Sequence, residues 1–131
     1  MTLLPDFYHV GKITPLSAEG YTVEIHLNPS HPVFEGHFPD NPIAPGVCMI
    51  QITKDLTETI VGKKLFLIRA SNVKFTALIN PYENSVLQLQ LEIFQLEDEL
   101  IKVKGVTSFD ETVALKLSVT YGASFSRGKT R

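Results

Sequence analysis

The sequence predicts an α+β fold in which one curved antiparallel sheet wraps round a single helix. Three observations favour it: a broadly apolar helical segment at 46–61, three consecutive alternating segments after it, and no internal repeat or change of composition along the 131 residues. A single helix can cover such a sheet only by lying across its concave face. We therefore predict one domain over residues 1–131.

The part of the chain before the helix combines one strand with a long proline-rich loop. Residues 3–10 mix apolar residues with Pro5 and predict a short packed arm or half-turn. Residues 21–27 alternate between apolar and polar side chains, which is typical of a half-buried strand. Residues 28–45 hold five of the eight prolines, so this ordered loop is predicted to contain neither a helix nor a central strand.

The helix is bounded by residues that suit its two ends. Pro45 suits a first turn, where its missing N–H is no loss, and Gly62 is a natural C-terminal stop. Because the apolar face is wide, we expect the helix to be enclosed rather than laid on a surface. The apolar positions at helical spacing are Val47, Ile50, Leu56, Ile60 and Val61, with Met49 and Ile52 widening the face.

The chain after Gly62 predicts strands. Residues 65–75 are the first candidate, and short turns then separate three alternating segments, 86–93, 101–107 and 113–121. Consecutive strands joined by short turns predict an antiparallel meander, and therefore a sheet of about five strands in all. The polar, basic tail from 124 to 131 is predicted to be frayed.

Composition argues against several classes of function. The net charge is −2, with twelve Lys and Arg against fourteen Asp and Glu, so the basic excess of a nucleic-acid binder is missing. The one cysteine, Cys48, cannot form an internal disulfide and is predicted to be a buried structural residue, and no Cys/His cluster has zinc spacing. There is no run of about 18 apolar residues and no signal-peptide pattern, so we expect no membrane span and a cytoplasmic protein.

The segment 31–47, HPVFEGHFPDNPIAPGV, holds the candidate site. It places His37 in a stiff turn with Phe38 as an apolar anchor, and it delivers Gly46 and Val47 to a helix N-terminus. The N–H groups there lack intrahelical partners and stabilise an anion or a polarised carbonyl oxygen. A histidine base beside such donors suits proton abstraction next to a carbonyl, or acyl transfer. A purely structural turn is the alternative.

Residues 36–46 resemble the signature of the 3-hydroxyacyl-(acyl-carrier-protein) dehydratases. The family pattern G-H-F-P-x-x-P-I/V-x-P-G is matched at every fixed position, and Leu3-Leu4-Pro5 resembles the family's N-terminal Leu-Pro element. The resemblance implies a hotdog fold, in which the sheet wraps round the central helix. It also implies that the protein removes water from a 3-hydroxyacyl thioester in the synthesis of fatty acids or related chains such as polyenes.

The resemblance assigns roles residue by residue. His37 matches the catalytic histidine that removes the C2 proton, and the N–H of Gly46 polarises the thioester carbonyl, with Phe38 and Val47 as further substrate-binding residues. The family has Glu or Asp fourteen residues after the histidine, where this chain has Gln51. An amide can hydrogen-bond to the 3-hydroxyl but cannot protonate it, and losing general acid catalysis costs a factor of about 10²–10⁴. A satisfied buried amide without a role is the alternative for Gln51.

One helical turn further, Asp55 stands where the family commonly has Gln, so the acid and amide are exchanged. Positions four apart share one helix face and are about 6 Å apart along the axis. Asp55 could therefore reach the substrate through a bound water or orient Gln51. The alternative is a solvent-facing charge near Lys54 and Glu58.

The resemblance also implies partners. The substrate would be carried on the phosphopantetheine of an acyl carrier protein or on coenzyme A, with no metal and no other cofactor. We expect a homodimer or a dimer of dimers, with His37 and Gln51 of one site from different copies, or a heterodimer with a related dehydratase. Two other functions stay open, an acyl thioesterase and a catalytically silent subunit. A basic patch for an acidic carrier, or a scattered solvated face, is predicted from Lys63, Lys64, Arg69 and Lys74.

Overall fold

One antiparallel sheet of six strands organises the chain in the computed structural model, which describes residues 5–36, 38 and 40–123. The strands lie in the order β1-β2-β4-β5-β6-β3, and every neighbouring pair is antiparallel. In chain order the elements are β1 (Tyr8–Pro15), β2 (Gly20–Leu27), α1 (Val33–Gly36), α2 (Gly46–Val61), β3 (Leu65–Phe75), β4 (Val86–Gln95), β5 (Leu100–Phe109) and β6 (Thr112–Ala123).

The long helix α2 covers the predicted residues and is packed into the sheet. Met49, Ile52 and Leu56 are at most 1% exposed and belong to the same buried cluster as the apolar residues of β2, β4, β5 and β6. Gly62 ends the helix at a φ of 72°, and its N–H donates to the carbonyl of Glu58 at 2.8 Å. The left-handed backbone conformation at this position favours glycine. The predicted arrangement of one helix enclosed by a curved sheet is therefore confirmed.

Two threonines show how α2 buries polar side chains. Thr53 and Thr57 are almost fully buried, and their hydroxyls donate to the carbonyls of Met49 and Thr53 at 3.3 and 2.8 Å. A buried hydroxyl without a partner would destabilise the fold, so these bonds within the helix allow enclosure on more than the apolar face.

Three predictions about the elements need correction. The arm at 3–10 leads instead into β1, so the sheet has six strands rather than five. The proline-rich loop contains the single helical turn α1, where Pro32 takes the place before the first helical residue. Val47, predicted on the apolar helix face, is 74% exposed, because the buried stripe is centred on Met49, Ile52 and Leu56. The tail from 124 to 131 and Leu3-Leu4 lie outside the described residues.

The edge strand β3 carries a row of solvent-exposed apolar side chains. Phe66, Leu67 and Ile68 are each about half exposed, at 52%, 49% and 50%. An open edge of this kind presents unpaired backbone groups together with apolar surface, which favours pairing with another chain. Of the helices in the described part of the chain, none is long and apolar enough to cross a membrane.

Candidate active site

The N-terminus of α2 is built as the sequence predicts. Pro45 precedes the helix at φ −62° and ψ 140°, and its carbonyl accepts the N–H groups of Cys48 and Met49 at 3.0 and 3.2 Å. No side-chain hydrogen bond caps this end within the described residues. The N–H groups of Gly46 and Val47, the first two helical residues, have no intrahelical acceptor among the described residues, so this end suits a developing negative charge.

An apolar cavity of about 370 Å³ meets this helix end. Two of the segments that line the cavity are joined by a backbone hydrogen bond, in which the N–H of Ala44 donates to the carbonyl of Ile79 at 2.9 Å. Residues from the proline loop, α2, the end of β3 and the loop after it line the cavity, among them Phe38, Ile43, Gly46, Met49, Phe75 and Ile79. The predicted substrate-binding residues Phe38 and Gly46 therefore share one apolar cavity.

Phe75 closely approaches the backbone of Gly46. A Cβ at position 46 would lie 2.7 Å from the outermost ring carbon of Phe75, the last residue of β3. Any other residue at 46 would have to displace that ring. The helix start and the end of the edge strand therefore form one wall of the cavity, an arrangement that no sequence pattern indicated.

A chain of hydrogen bonds joins Gln51, Asp55 and Tyr8. The side-chain amide nitrogen of Gln51 lies 2.9 Å from Oδ1 of Asp55, and the hydroxyl of Tyr8 donates to Oδ2 at 3.1 Å. Asp55 is only 9% exposed, so the expectation of a solvent-facing charge is wrong. Because Asp55 accepts from Gln51, its geometry agrees with the alternative in which it orients that amide.

Tyr8 is the residue of this chain of hydrogen bonds that sequence reasoning missed. Burial, followed by the charge of Asp55 and the hydrogen bond to it, raises the pKa of Tyr8 well above its ordinary range. The phenol therefore stays protonated and donates. Tyr8 and Asp55 also line a second, more polar cavity of about 390 Å³, together with Glu58, Lys63 and Lys64.

Tyr121 is a second buried tyrosine near the same carboxylates. Burial and the charges of Glu58 and Asp55 raise the pKa of Tyr121. Its hydroxyl is fully buried and has no hydrogen-bond partner within the part of the chain that the structure describes. It therefore differs from Tyr8 in making no bond to Asp55 there.

Of the remaining predicted site residues, those that the structure describes are absent from the described lining of the apolar cavity. His37 and Pro39 lie outside the described residues. Gln51, Asp55 and the exposed Val47 are not among the described residues that line the cavity. The cavity and the polar pair thus occupy different parts of α2 within one copy of the chain.

Cys48 is buried, as predicted, and the four basic residues Lys63, Lys64, Arg69 and Lys74 do not form one patch. Cys48 is buried, and burial raises the pKa of its thiol, so it stays protonated. Lys63 lies 3.9 Å from Glu99, whereas Arg69 and Lys74 lie along β3, opposite Thr120 and Lys116. Ten residues of strand separate Lys64 from Lys74, about 30 Å. The four cations are therefore spread along one edge rather than gathered in one patch.

No three His, Cys, Asp or Glu side chains among the described residues are placed to share a metal ion.

Comparison with known proteins identifies the family. A model of the ApeI-like family, described as ApeI dehydratase, matches residues 14–116. The chain belongs to this family. The ApeI-like chain is also 30% identical over 94 residues to a 3-hydroxyacyl-(acyl-carrier-protein) dehydratase FabZ of Caulobacter vibrioides, covering 65% of this chain. It spans only 58% of that relative's length.

Two further comparisons extend the match. The FabZ dehydratase of Oceanobacillus iheyensis is 28% identical over 123 residues, which cover 88% of the ApeI-like chain and 86% of the relative. The structure of the dehydratase heterocomplex ApeI:P from Xenorhabdus doucetiae superposes with a TM-score of 0.72 at 20% identity, over 87% of this chain and 96% of that one. The superposition confirms the hotdog fold. The chain is therefore a hotdog protein of the ApeI-like dehydratase family.

Proposed function

We propose that this protein eliminates water from a 3-hydroxyacyl thioester to give the 2-enoyl thioester. The observation that carries the proposal is the apolar cavity that meets the N-terminus of α2 at Gly46. An acyl chain suits the apolar walls, and a thioester oxygen suits the N–H group at their end. The GHFPDNPIAPG segment supplies the matching histidine, His37.

In the proposed reaction His37 takes the proton from C2 while the N–H of Gly46 stabilises the negative charge that develops on the thioester oxygen. The C3–O bond then breaks, a double bond forms between C2 and C3, and the departing hydroxide takes a proton to leave as water. Gln51 can hold the hydroxyl but cannot supply that proton. The His37 imidazolium supplies it, so we expect a slower reaction than with a carboxylic acid at position 51.

The carrier of the acyl chain belongs to the same proposal. The names of the relatives specify an acyl carrier protein as the carrier of their substrate. We propose that the thioester of this protein is delivered on phosphopantetheine, which occurs both on acyl carrier protein and in coenzyme A. In this proposal His37 transfers the proton and the N–H of Gly46 stabilises the oxyanion, and no cofactor is included for the elimination itself.

A second copy of the chain, bound at the β3 edge, would complete the site. In the family that the signature resembles, the histidine and the helix acid come from different copies. This agrees with the separation of the cavity from Gln51 within one copy. The half-exposed Phe66, Leu67 and Ile68 provide apolar surface for such an edge.

We expect Leu67→Lys/Ile68→Lys to convert a dimer into a monomer, because two charges would enter the apolar edge. Leu16→Lys is the matched control, since Leu16 is 64% exposed and lies next to β1 at the opposite edge of the sheet. Light scattering at micromolar concentration measures the mass. A wild-type monomer, or a dimer that survives the double substitution, would contradict this assembly.

A silent subunit is the second candidate, and Gln51 favours it, since the position that carries the family acid lacks one. The solved ApeI:P structure is a heterocomplex of dehydratases, which makes pairing with a related, active chain a concrete form of this candidate. An acyl thioesterase, which would direct an activated water at the thioester, is the third.

A turnover assay separates the three. The protein is mixed with 3-hydroxyacyl thioesters on acyl carrier protein and on coenzyme A, and enoyl absorbance and released thiol are followed. We expect enoyl product, lowered about 10²–10⁴-fold in His37→Ala through loss of the base. Released thiol would identify a thioesterase. Background rates in both proteins, restored by a second hotdog chain, would identify a silent subunit.

A further inference from the structure

We infer that Tyr8 is a positioning residue for the proposed dehydration: through Asp55 it holds the side chain of Gln51 so that the carbonyl oxygen Oε1 receives the 3-hydroxyl of the substrate. The inference rests on the proposed function for the identity of the substrate. The hydrogen-bond arrangement itself stands on the structure.

The geometry gives each partner a separate atom of Asp55. Nε2 of Gln51 lies 2.9 Å from Oδ1, and the Tyr8 hydroxyl lies 3.1 Å from Oδ2. Gln51 and Asp55 are one turn apart on α2, whereas Tyr8 lies on the edge strand β1 and is 47 residues from Asp55 in sequence. The bond from Tyr8 therefore fixes a helix carboxylate from outside the helix.

The chemistry of the partners decides which way the amide of Gln51 points. An ionised carboxylate only accepts hydrogen bonds, so the NH₂ group and not the carbonyl must face Asp55. The amide is planar, and its oxygen is consequently directed away from Asp55. Oε1 is then the atom of this side chain that is available to accept a hydrogen bond from a ligand.

An acceptor at this position suits a hydroxyl that has to leave. The 3-hydroxyl can donate its proton to Oε1 of Gln51, and this bond increases the electron density on the hydroxyl oxygen. That oxygen then accepts a proton more readily from the His37 imidazolium. With the amide reversed, its NH₂ would compete for the same lone pairs.

Tyr8 matters for the orientation of Gln51 because Asp55 binds one partner with each of its two oxygens. Asp55 is 9% exposed, and it lines the polar cavity together with Tyr8. Removing the Tyr8 hydroxyl takes one donor from Oδ2, and a water in its place would be held less firmly than a phenol fixed on β1. We therefore expect the carboxylate, and with it the amide of Gln51, to be oriented less firmly. The raised pKa of Tyr8 agrees with a phenol that donates at all physiological pH values.

The test compares Tyr8→Phe with Tyr121→Phe. Both substitutions remove one hydroxyl from a largely buried ring near Asp55, but only the Tyr8 hydroxyl bonds to it within the described residues. We expect Tyr8→Phe to lower kcat about tenfold with little change in KM, and Tyr121→Phe to leave kcat unchanged. In a Gln51→Ala background, Tyr8→Phe should have no further effect.

A second readout needs no turnover. In protein labelled with ¹⁵N-glutamine, the side-chain NH₂ signals of Gln51 are identified by their loss in Gln51→Leu. We expect these protons to exchange with solvent several-fold faster in Tyr8→Phe and at the wild-type rate in Tyr121→Phe. Unchanged signals in Tyr8→Phe would overturn the inference. Altered signals with unchanged kcat in an active enzyme would also overturn it. If no enoyl product forms in the wild-type protein, the proposed function fails, and the exchange rates alone decide whether Tyr8 positions Gln51.

Discussion

Gln51→Glu is expected to raise the rate of dehydration about 10²-fold, the lower end of the contribution of a positioned general acid. The new carboxyl group would stand beside Asp55, whose Oδ1 already lies 2.9 Å from the side chain at 51. Two carboxyl groups at that distance hold one proton between them. Because the Tyr8 hydroxyl already donates to Oδ2 of Asp55, we expect the proton to reside on the new group.

The pH dependence follows from that shared proton. Because two adjacent carboxyl groups share that proton, we expect them to lose it only at a pH above the ordinary pKa of a carboxyl. The advantage over wild type should decline as the pH rises through that point. The measurement is kcat with a 3-hydroxyacyl carrier-protein substrate across this range. Gln51→Leu is the control without a proton donor and should be no faster than wild type. A Gln51→Glu rate equal to wild type at every pH would exclude a dehydratase with a weakened acid.

Gly46→Pro, made together with Phe75→Leu, is expected to lower kcat about 10²–10³-fold, the cost of one lost oxyanion donor. Proline has no N–H, whereas the partner substitution provides room for its ring where Phe75 now stands 2.7 Å from a Cβ. Folding should be preserved for two reasons. Position 46 is the first helical residue, and Pro45 already has the extended conformation, ψ 140°, that a residue before proline prefers.

The matched control is Gly46→Ala with Phe75→Leu, which adds a Cβ and keeps the N–H. Melting temperatures should agree within a few degrees between the two double variants, while kcat should differ by the factor above. Equal kcat values in the two variants would show that the carbonyl of the substrate binds elsewhere. A lower melting temperature in the proline variant alone would count against the first-turn geometry.

Much of the fold could be predicted because the helix and strands begin and end at residues with strong conformational preferences. Pro45 and Gly62 enclose α2, and alternation marks the strands of the meander. β1 was missed because residues 8–15, YHVGKITP, do not alternate cleanly and include a glycine. An edge strand is paired on one side only, so its sequence is less constrained than that of a central strand.

Part of the candidate site could be predicted from the sequence, and part of it could not. The four-residue spacing of Gln51 and Asp55 predicted that the two side chains meet, and the structure places them in contact. Tyr8 and Phe75 could not be predicted, because they reach Asp55 and Gly46 only through the tertiary fold. Asp55 was expected to be exposed because its neighbours Lys54 and Glu58 are charged, and these two pair with each other instead, at 3.1 Å.

The threonines of α2 have a consequence for how far sequences with this fold can diverge. Since Thr53 and Thr57 bond to carbonyls of their own helix, the surrounding strands need not provide polar partners for them. The inner surface of the sheet then has to match the helix only in volume and apolar character, and many combinations of side chains satisfy that condition. For this helix, matching volume and apolar character is a loose requirement, and this chain superposes on the ApeI:P structure with a TM-score of 0.72 at only 20% identity.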